Sequence, residues 1–460
     1  MASLSVRTKR ILVISLVALA TVASGVTSYV VGHRYDERRE ARAMRSLGLG
    51  VLPTPLWTLD TARVATGPGE VLLSVASPGV DANGYGVLVD AAENLIAAAG
   101  RRRAFNEIAD ITLVGIDRAD GHPIWRRPVG PVANCTDDPV TESIACWSPT
   151  RVTIVDTATG DVRGSATTDF TVASVTVSGD ATYVSGTRGT GPAASVVLAT
   201  GTVRTPVAST RTIADATPGA SISDVVPDRN VVIVRATAGQ DIGFASAVYS
   251  LDTGVRRFAA DGIVTAIGDT LFRSETYPQG IERLLDDTGA PVVTQRLSLP
   301  DGSFQPQVTA TAFAPVVMGN GVFDPRTGAL LWRDPVLDWG KQDGGISPAV
   351  VGSTLIAASL DGNLIGLDTR TGRRMWTTPL PVAFYVRSGI TDGRFFVFGD
   401  TTGMHSIDAV NGRIVWSVAS RSPSPGAISL TSVSGSGGDI VRAEGNSISV
   451  WRARQGPDPT

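Results

Sequence analysis

Histidine and cysteine, the residues that most often hold metals or act as nucleophiles, are scarce in this chain. Its 460 residues include three His and two Cys. His33, His122 and His405 have no partner spacing that indicates a zinc site or a His-centred triad, both of which need several convergent side chains. We therefore expect no catalytic, cofactor-binding or metal-binding residues, and we place His122 and His405 at the surface or in turns.

Lysine is almost absent, and the chain has no strong net charge. Lys9 and Lys341 are the only lysines, and the formal net charge is -3. A chain of this charge has no basic footprint for nucleic acid, so we expect no nucleic-acid partner. Arginine in place of lysine, with abundant Ala, Gly, Val and Thr, is typical of a high-GC genome and favours a bacterium of actinobacterial type.

A long hydrophobic run occurs once, at residues 11–31, where no residue is charged. Its length suits a helix that spans a bilayer, since about 20 apolar residues are needed. A cleavable signal peptide is the alternative, because Ala18-Leu19-Ala20 resembles a cleavage site. The apolar stretch continues past that site, which favours an uncleaved single-pass anchor in the cell membrane.

The anchor divides the chain into segments. We predict a cytoplasmic N-terminus (1–10), the membrane helix (11–31), a charged helical spacer and linker (32–54), a repeat domain (55–456) and a tail (457–460). Three basic residues precede the anchor and five arginines follow it, so a plain count of Lys and Arg favours the opposite orientation. We place the repeat domain on the extracytoplasmic side, since a first segment acts like a signal and long domains translocate largely regardless of charge.

The two cysteines are consistent with export. Cys135 and Cys146 are eleven residues apart. An even pair in an exported protein predicts a disulfide, here between adjacent strands of one repeat. Two buried free thiols are the alternative.

A recurring sequence motif, which we call the phrase, dominates the rest of the chain. It consists of an apolar run, an Asp, a Gly four residues later and a Trp after four more, as in IDRADGHPIW and LDTRTGRRMW. Asp hydrogen-bonds turn backbones and Gly accepts a positive φ, so the phrase predicts a strand, a tight turn and a second strand. The turn residues are Asp117, Gly121, Asp156, Gly160, Asp324, Gly328, Asp368, Gly372, Asp408 and Gly412.

The period of the phrase is about 40 residues, which is the length of a four-stranded propeller blade. Weaker copies at Gly201, Gly254 and Gly289 fill the gaps. The fold class is therefore all-β, a β-propeller of four-stranded blades, with eight blades favoured and seven or nine as alternatives. A propeller of this kind is expected to be monomeric.

The two ends of the repeat domain predict how the ring closes. The strand around Trp57 has no strand before it, and the strand around Trp451 has no fourth strand after it. We expect the first strand to complete the last blade, which leaves only short, protected edges.

The stretch DGGISPAVVGSTLIAASLDGNLIGLDTRTGRRMW resembles the pyrroloquinoline-quinone-type (PQQ-like) propeller repeat. The resemblance implies that the tryptophans are structural and pack against the neighbouring blade. It applies to Trp125, Trp332, Trp376 and Trp416. The family contains quinone-dependent dehydrogenases and non-enzymatic envelope scaffolds. The chain resembles the scaffolds more, because it lacks the vicinal Cys-Cys of the dehydrogenases.

These observations favour a membrane-anchored, non-enzymatic scaffold or binding module of the cell envelope, with an envelope protein as its partner and no cofactor. The alternatives are a PQQ-dependent dehydrogenase-like protein and a ligand- or carbohydrate-binding sensor propeller.

Overall fold

A computed structural model provides the structure of the chain. It describes residues 48–67, 70–73, 88–91, 94–102, 108–131, 134–136, 142–189, 194–213, 220–238, 243–267, 271–276, 281–296, 315–337, 349–358, 362–380, 389–400, 402–420, 432–436, 439–444 and 447–453. The predicted anchor at 11–31, most of the spacer, His33 and the tail lie outside these residues. Within the described ranges, no helix has the length and apolarity required to cross a bilayer.

The described residues form nine antiparallel sheets, which follow one another along the chain as the blades of a propeller. Blades 1 to 5 follow the opening strand β1 (Thr54–Asp60), and the structure describes at least four strands in each of them. They contain, in chain order, β2 (Glu70–Leu73), β3 (Leu88–Ala91), β4 (Asn94–Arg102), β5 (Ile108–Asp117) and β6 (Pro123–Gly130); β7 (Asn134–Cys135), β8 (Ser143–Ser148), β9 (Arg151–Asp156) and β10 (Val162–Thr167); β11 (Thr171–Ser178), β12 (Ala181–Arg188), β13 (Ser195–Thr202) and β14 (Ser209–Thr212); β15 (Ser221–Val226), β16 (Val231–Ala238), β17 (Gly243–Ser250) and β18 (Arg256–Asp261); and β19 (Ile263–Ile267), β20 (Leu271–Thr276), β21 (Ile281–Leu285) and β22 (Pro291–Arg296).

Blade 6 is described as three strands, and blades 7 to 9 follow it. Their strands are β23 (Val316–Met318), β24 (Gly321–Phe323) and β25 (Leu330–Arg333); β26 (Ala349–Val351), β27 (Thr354–Ala358), β28 (Asn363–Asp368) and β29 (Arg374–Pro379); β30 (Gly389–Thr391), β31 (Phe395–Gly399), β32 (Gly403–Asp408) and β33 (Ile414–Ala419); and β34 (Ser432–Ser436), β35 (Asp439–Glu444) and β36 (Ser447–Arg452). Short 3-10 turns lie at Thr61–Arg63, Pro227–Arg229 and Pro335–Leu337.

The all-β propeller is confirmed, and its blade count is nine rather than the favoured eight. The difference arises from the weak copies of the phrase. The turn that follows Gly201 and the turn at Gly289 connect the last two strands of blades 3 and 5, so both weak copies mark genuine blades. The ninth blade is the one divided between the two ends of the domain.

Blade 9 closes the ring. The strand β1 pairs antiparallel with β36, with Trp57 opposite Val450 and Thr58 opposite Ser449. The sheet order β1-β36-β35-β34 places the first strand as the fourth strand of the last blade. The Trp451 side chain is buried in β36, where its indole N–H donates to the Ser449 hydroxyl at 2.8 Å.

The core lies between blades. One apolar cluster joins three sheets through Val322 of blade 6, Leu355 and Leu367 of blade 7, and Phe398 and Ile407 of blade 8. Inner strands are therefore covered on both faces and read as continuous apolar runs, as β28 does. Outer strands such as β29 alternate exposed and covered residues, since only one face packs on a neighbour.

The disulfide is confirmed. Cys135 of β7 and Cys146 of β8 are directly opposite each other in blade 2 and are bonded. Both are buried in an apolar cluster with Leu113 and Ile144.

Closure by β1 predicts a stability difference between two truncations. A chain that begins at residue 48 keeps β1, whereas one that begins at residue 61 leaves the β36 edge open. We expect the second chain to melt at a clearly lower temperature with reduced cooperativity, because an unpaired edge and an uncovered core replace the closed ring. Circular dichroism melting of both proteins checks this, and equal midpoints would contradict closure by β1.

Candidate functional site

The repeated aspartates cap turns. In blade 7, the Asp368 carboxylate accepts hydrogen bonds from the backbone N–H groups of Arg370 at 3.1 Å and Thr371 at 2.8 Å. In blade 6, bonds from the N–H groups of Thr327 and Arg326 lower the pKa of Asp324. Equivalent carboxylate-to-backbone bonds occur at Asp117, Asp156 and Asp408. Each of these carboxylates therefore caps its own turn, while Asp156 and Asp408 also pair with Arg163 and Arg394.

Tryptophans on the last strands of blades 1, 6, 7 and 9 link each of these blades to the next. An indole N–H donates to the backbone carbonyl that follows the capping aspartate of the neighbouring blade. The pairs are Trp57 to Arg118 at 2.8 Å, Trp125 to Thr157 at 3.2 Å, Trp332 to Thr369 at 2.9 Å and Trp376 to Ala409 at 2.8 Å. The inter-blade placement inferred from the family resemblance is thus the one observed.

Trp416 makes the same contact with residues predicted as linker. Its indole N–H donates to the Leu49 carbonyl at 2.8 Å, and the Ser406 hydroxyl donates to the same oxygen at 2.9 Å. Leu49 is fully buried, and its N–H donates to Asp392 at 3.1 Å. The part of the chain that packs on the propeller therefore includes Leu49, ahead of residue 55, at which the repeat domain was predicted to begin. Blade 9 is split between the chain ends, so residues around Leu49 supply the acceptor that a continuous turn supplies elsewhere.

The turn glycines receive these indole rings. Gly121, Gly160, Gly372 and Gly412 all have positive φ. A Cβ on Gly372 would lie 2.6 Å from the Trp332 ring, and one on Gly160 would lie 2.6 Å from the Trp125 ring. Glycine is thus required twice, for backbone conformation and for close approach of the aromatic ring.

Blades 2 to 5 have no tryptophan on their last strands but keep the contact in other forms. Arg211 of blade 3 donates to the Asp252 carbonyl at 2.8 Å, much as an indole does. Phe258 and Val292 lie against the turn glycines of the next blades, within 2.6 Å of a Cβ built on Gly289 or Gly328. At Gly164 the backbone carbonyl of Val203 approaches so closely that a side chain would not fit.

Exposed arginines gather at the turn end of blades 6 to 8. The blade 7 turn places Gly372 on Trp332, and the blade 8 turn places Gly412 on Trp376, so these turns are neighbours. They and the adjoining strands carry six exposed arginines, which are Arg326, Arg333, Arg370, Arg373, Arg374 and Arg413. We call these six residues the arginine face.

His405 is not a surface residue, contrary to expectation. It lies on β32 with 8% of its surface exposed, between Asp400 and Ser417. Its Nε2 is 3.1 Å from an Asp400 carboxylate oxygen, and its Nδ1 is 2.9 Å from the Ser417 hydroxyl. This grouping is not apparent from the sequence, because the partners of His405 come from a turn and the next strand. His122 is exposed in a turn beside Asp120, as predicted.

A second buried polar group lies in blade 5. Glu275 of β20 and Glu282 of β21 are directly opposite each other, and Arg273 forms ion pairs with both. All three residues are at most 6% exposed. Burial raises the pKa of Glu275, and the nearby Arg273 and Arg235 only partly oppose this. Among the described residues, no group of three or more His, Cys, Asp or Glu could hold a metal ion.

Comparison with known proteins supports the repeat family. Residues 321–456 match a family described as "Outer membrane protein assembly factor BamB". A protein of that name from Shewanella oneidensis is 25% identical over 173 residues, covering 33% of this chain and 41% of the relative. The match thus spans less than half of that relative's length. It confirms the predicted PQQ-like propeller repeat, while the anchor and the bacterial group remain predictions.

Solved structures with a similar fold include BamB from Moraxella catarrhalis and a quinohemoprotein alcohol dehydrogenase from Comamonas testosteroni. The first has a TM-score of 0.42 and 16% identity, covering 70% of this chain and 94% of its own. The second has a TM-score of 0.45 and 11% identity, covering 87% of this chain and 79% of its own.

The glycine and tryptophan contact can be tested with two matched alanine substitutions. Gly372→Ala is destabilised both by the positive φ and by the clash with Trp332. Gly130→Ala is destabilised only by its positive φ of +77°, because nothing lies within 4 Å of the new Cβ. We expect Gly130→Ala to cost roughly 1 to 2 kcal/mol of unfolding free energy. Gly372→Ala should cost about 1 to 3 kcal/mol more. Equal losses in denaturant titrations would show that the aromatic contact contributes nothing.

The buried glutamate of blade 5 predicts a pH-dependent effect. Because its pKa is raised in the folded protein, Glu275 costs stability progressively as the pH rises from about 4.3, its unfolded value, through the folded value. Glu275→Gln removes this cost. We expect the unfolding free energy of the variant, relative to wild type, to increase across this window and to differ little below it.

Urea titrations of the two proteins at a series of pH values measure this difference. Parallel pH curves for Glu275→Gln and wild type would contradict the raised pKa.

Proposed function

We propose that the protein is a scaffold of the cell envelope that binds a protein partner on the extracytoplasmic side, held at the membrane by residues 11–31. Two observations support this. The segment 321–456 resembles a family described as an outer membrane protein assembly factor. The Cys135–Cys146 disulfide favours an oxidising compartment, since such bonds are rare in the cytoplasm.

The recurring residues support a scaffold more than an enzyme. Each capping aspartate is engaged by its own turn, and each inter-blade tryptophan is engaged by the neighbouring blade. The phrase that repeats around the ring therefore stabilises the propeller and leaves its residues unavailable to a substrate. Binding then depends on the side chains that the ring presents to solvent.

The arginine face is the observation that carries the proposal, because it lies within the matched segment. Arg370, Arg373 and Arg374 are exposed within one blade 7 turn. None of them forms a salt bridge with another described residue, whereas the nearby Arg394 is paired with Asp408 at 3.0 Å. Guanidinium groups bind carboxylates through paired hydrogen bonds.

The partner that fits this face is an acidic protein segment. The one acidic residue of the blade 7 turn, Asp368, has its Oδ1 taken up by the turn backbone and the Thr371 hydroxyl. The turn thus presents three positive charges, whereas its single negative charge, on Asp368, is already hydrogen-bonded. Complementary charge of this kind speeds association and selects partners.

Crosslinking on intact cells tests both the location and the surface. A membrane-impermeant crosslinker should capture a defined partner with the wild-type protein, since the propeller faces outward. The triple variant Arg370→Gln, Arg373→Gln, Arg374→Gln should capture at least several-fold less, because the charge attraction is removed. The readout is the partner's abundance by quantitative mass spectrometry.

A matched control carries glutamines at the exposed Arg204 and Arg256 of blades 3 and 4, and it should capture the partner normally. Absence of any capture by the impermeant reagent, with capture by a permeant one, would contradict the extracytoplasmic location. Equal capture by the triple variant would contradict the role of the arginine face.

A further inference from the structure

The repeat supplies an internal standard for the position of His405. In blades 1, 7 and 8, the residue after the inter-blade tryptophan lies opposite a residue of the third strand. The pairs are Arg126 with Val114, Thr377 with Ile365, and Ser417 with His405. Blade 8 therefore places a buried histidine where the other two have a β-branched apolar residue. Packing alone does not explain this exchange, because a β-branched residue fills the position elsewhere.

The partners of His405 form a continuous hydrogen-bonded line from a buried carboxylate to an exposed hydroxyl. Asp400 is 2% exposed and His405 is 8% exposed, whereas Ser417 is exposed on the outer strand. Burial opposes ionisation of Asp400, but hydrogen bonds from His405 and Thr402 outweigh it and lower the pKa of this carboxyl. The carboxylate is thus a fixed negative charge behind the imidazole ring.

The same contacts assign the imidazole tautomer. Thr402 donates its hydroxyl hydrogen to Asp400 at 2.7 Å, so its oxygen acts as an acceptor toward His405 Nε2, 2.9 Å away. Both neighbours of Nε2 are acceptors, which places the ring hydrogen on Nε2. Nδ1 is then the basic nitrogen, and it accepts the Ser417 hydroxyl hydrogen at 2.9 Å.

The backbone of Ser417 is directed outward. The Ser420 N–H donates to the Thr402 carbonyl at 2.7 Å, so Thr402 and Ser420 form a hydrogen-bonded pair where β32 begins and β33 ends. Hydrogen-bonded and non-bonded pairs alternate in antiparallel sheets, so His405 and Ser417 form a non-bonded pair with close side chains. The Ser417 N–H therefore points away from β32, off the outer edge of the sheet formed by the described strands of blade 8. We expect this N–H to donate to the carbonyl oxygen of an ester that the Ser417 hydroxyl attacks.

We propose that Ser417 is a nucleophile activated by His405 and Asp400, and that it accepts acyl groups from small carboxylic esters. The Ser417 Oγ attacks the ester carbonyl and transfers its proton to His405 Nδ1, while Asp400 stabilises the imidazolium. The carbonyl carbon–oxygen bond to the alcohol breaks, and the alcohol leaves with the proton from Nδ1. Water, deprotonated by His405, then releases the carboxylic acid and restores the serine. We expect small acyl groups, because Ala419, the next residue on the same strand face, is exposed and its methyl group offers little apolar surface to a longer chain.

A fluorophosphonate probe tests the nucleophile directly. Reaction forms a bond between the Ser417 oxygen and phosphorus and expels fluoride, and peptide mass spectrometry locates the adduct. We expect Ser417 to be modified, and Ser417→Ala to abolish both this adduct and a burst of nitrophenol from p-nitrophenyl acetate. His405→Gln and Asp400→Asn should slow labelling, the former by about 100-fold or more, because a positioned general base contributes at least that factor.

The equivalent residue of blade 7 supplies the control. Thr377→Ala should leave the labelling rate of Ser417 unchanged. Modification of Ser417 no faster than that of Ser420 would overturn the proposal. So would an unchanged rate in His405→Gln. Because Ser417 is exposed, Ser417→Ala should keep the wild-type melting temperature, and a retained burst in that folded variant would also overturn it.

Discussion

An aromatic ring of one blade resting on the positive-φ turn glycine of the next is the contact on which the propeller depends. It unites three properties of the recurring phrase. The aspartate fixes the turn, the glycine leaves room above it, and the tryptophan of the preceding blade fills that room and donates to the adjacent carbonyl. Burial of an aromatic side chain is worth a few kcal/mol. Each of these inter-blade contacts, which we call joints, therefore stabilises the propeller and fixes one sheet against the next.

The joint tolerates substitution as long as the space above the turn is filled. An arginine, a phenylalanine, a valine and a closely approaching backbone replace the tryptophan between blades 2 and 6. This tolerance explains why the sequence phrase fades in the middle of the chain although the ring remains continuous. It also means that a departure from the phrase at the joint is explained by packing between blades. Departures elsewhere in a blade, such as His405 or the glutamates of blade 5, need another explanation.

Much of the fold could be predicted from the sequence, because turn chemistry and the period of the phrase are local. The turns at Asp117 and Asp368, the closing strand of Trp57 and the Cys135–Cys146 bond all follow from short-range patterns. The blade count was less accessible, since Gly201 and Gly289 lack a tryptophan four residues later. The grouping around His405 was inaccessible, because Asp400 and Ser417 meet it only through strand register. A polar residue at a position that is apolar in other blades was the one available signal.

The Ser417 group lies on blade 8, away from the turn at which Arg413 joins the arginine face. Strands β32 and β33 are antiparallel, with the turn that bears Arg413 at one end and Asp400 at the other. Ser417 lies four residues beyond Arg413, about 13 Å along an extended strand. Its side chain and that of Trp416 project to opposite faces, so the nucleophile does not compete with the joint to Leu49. A partner bound across the turns of blades 6 to 8 would therefore leave Ser417 accessible, and the two roles can coexist on one blade.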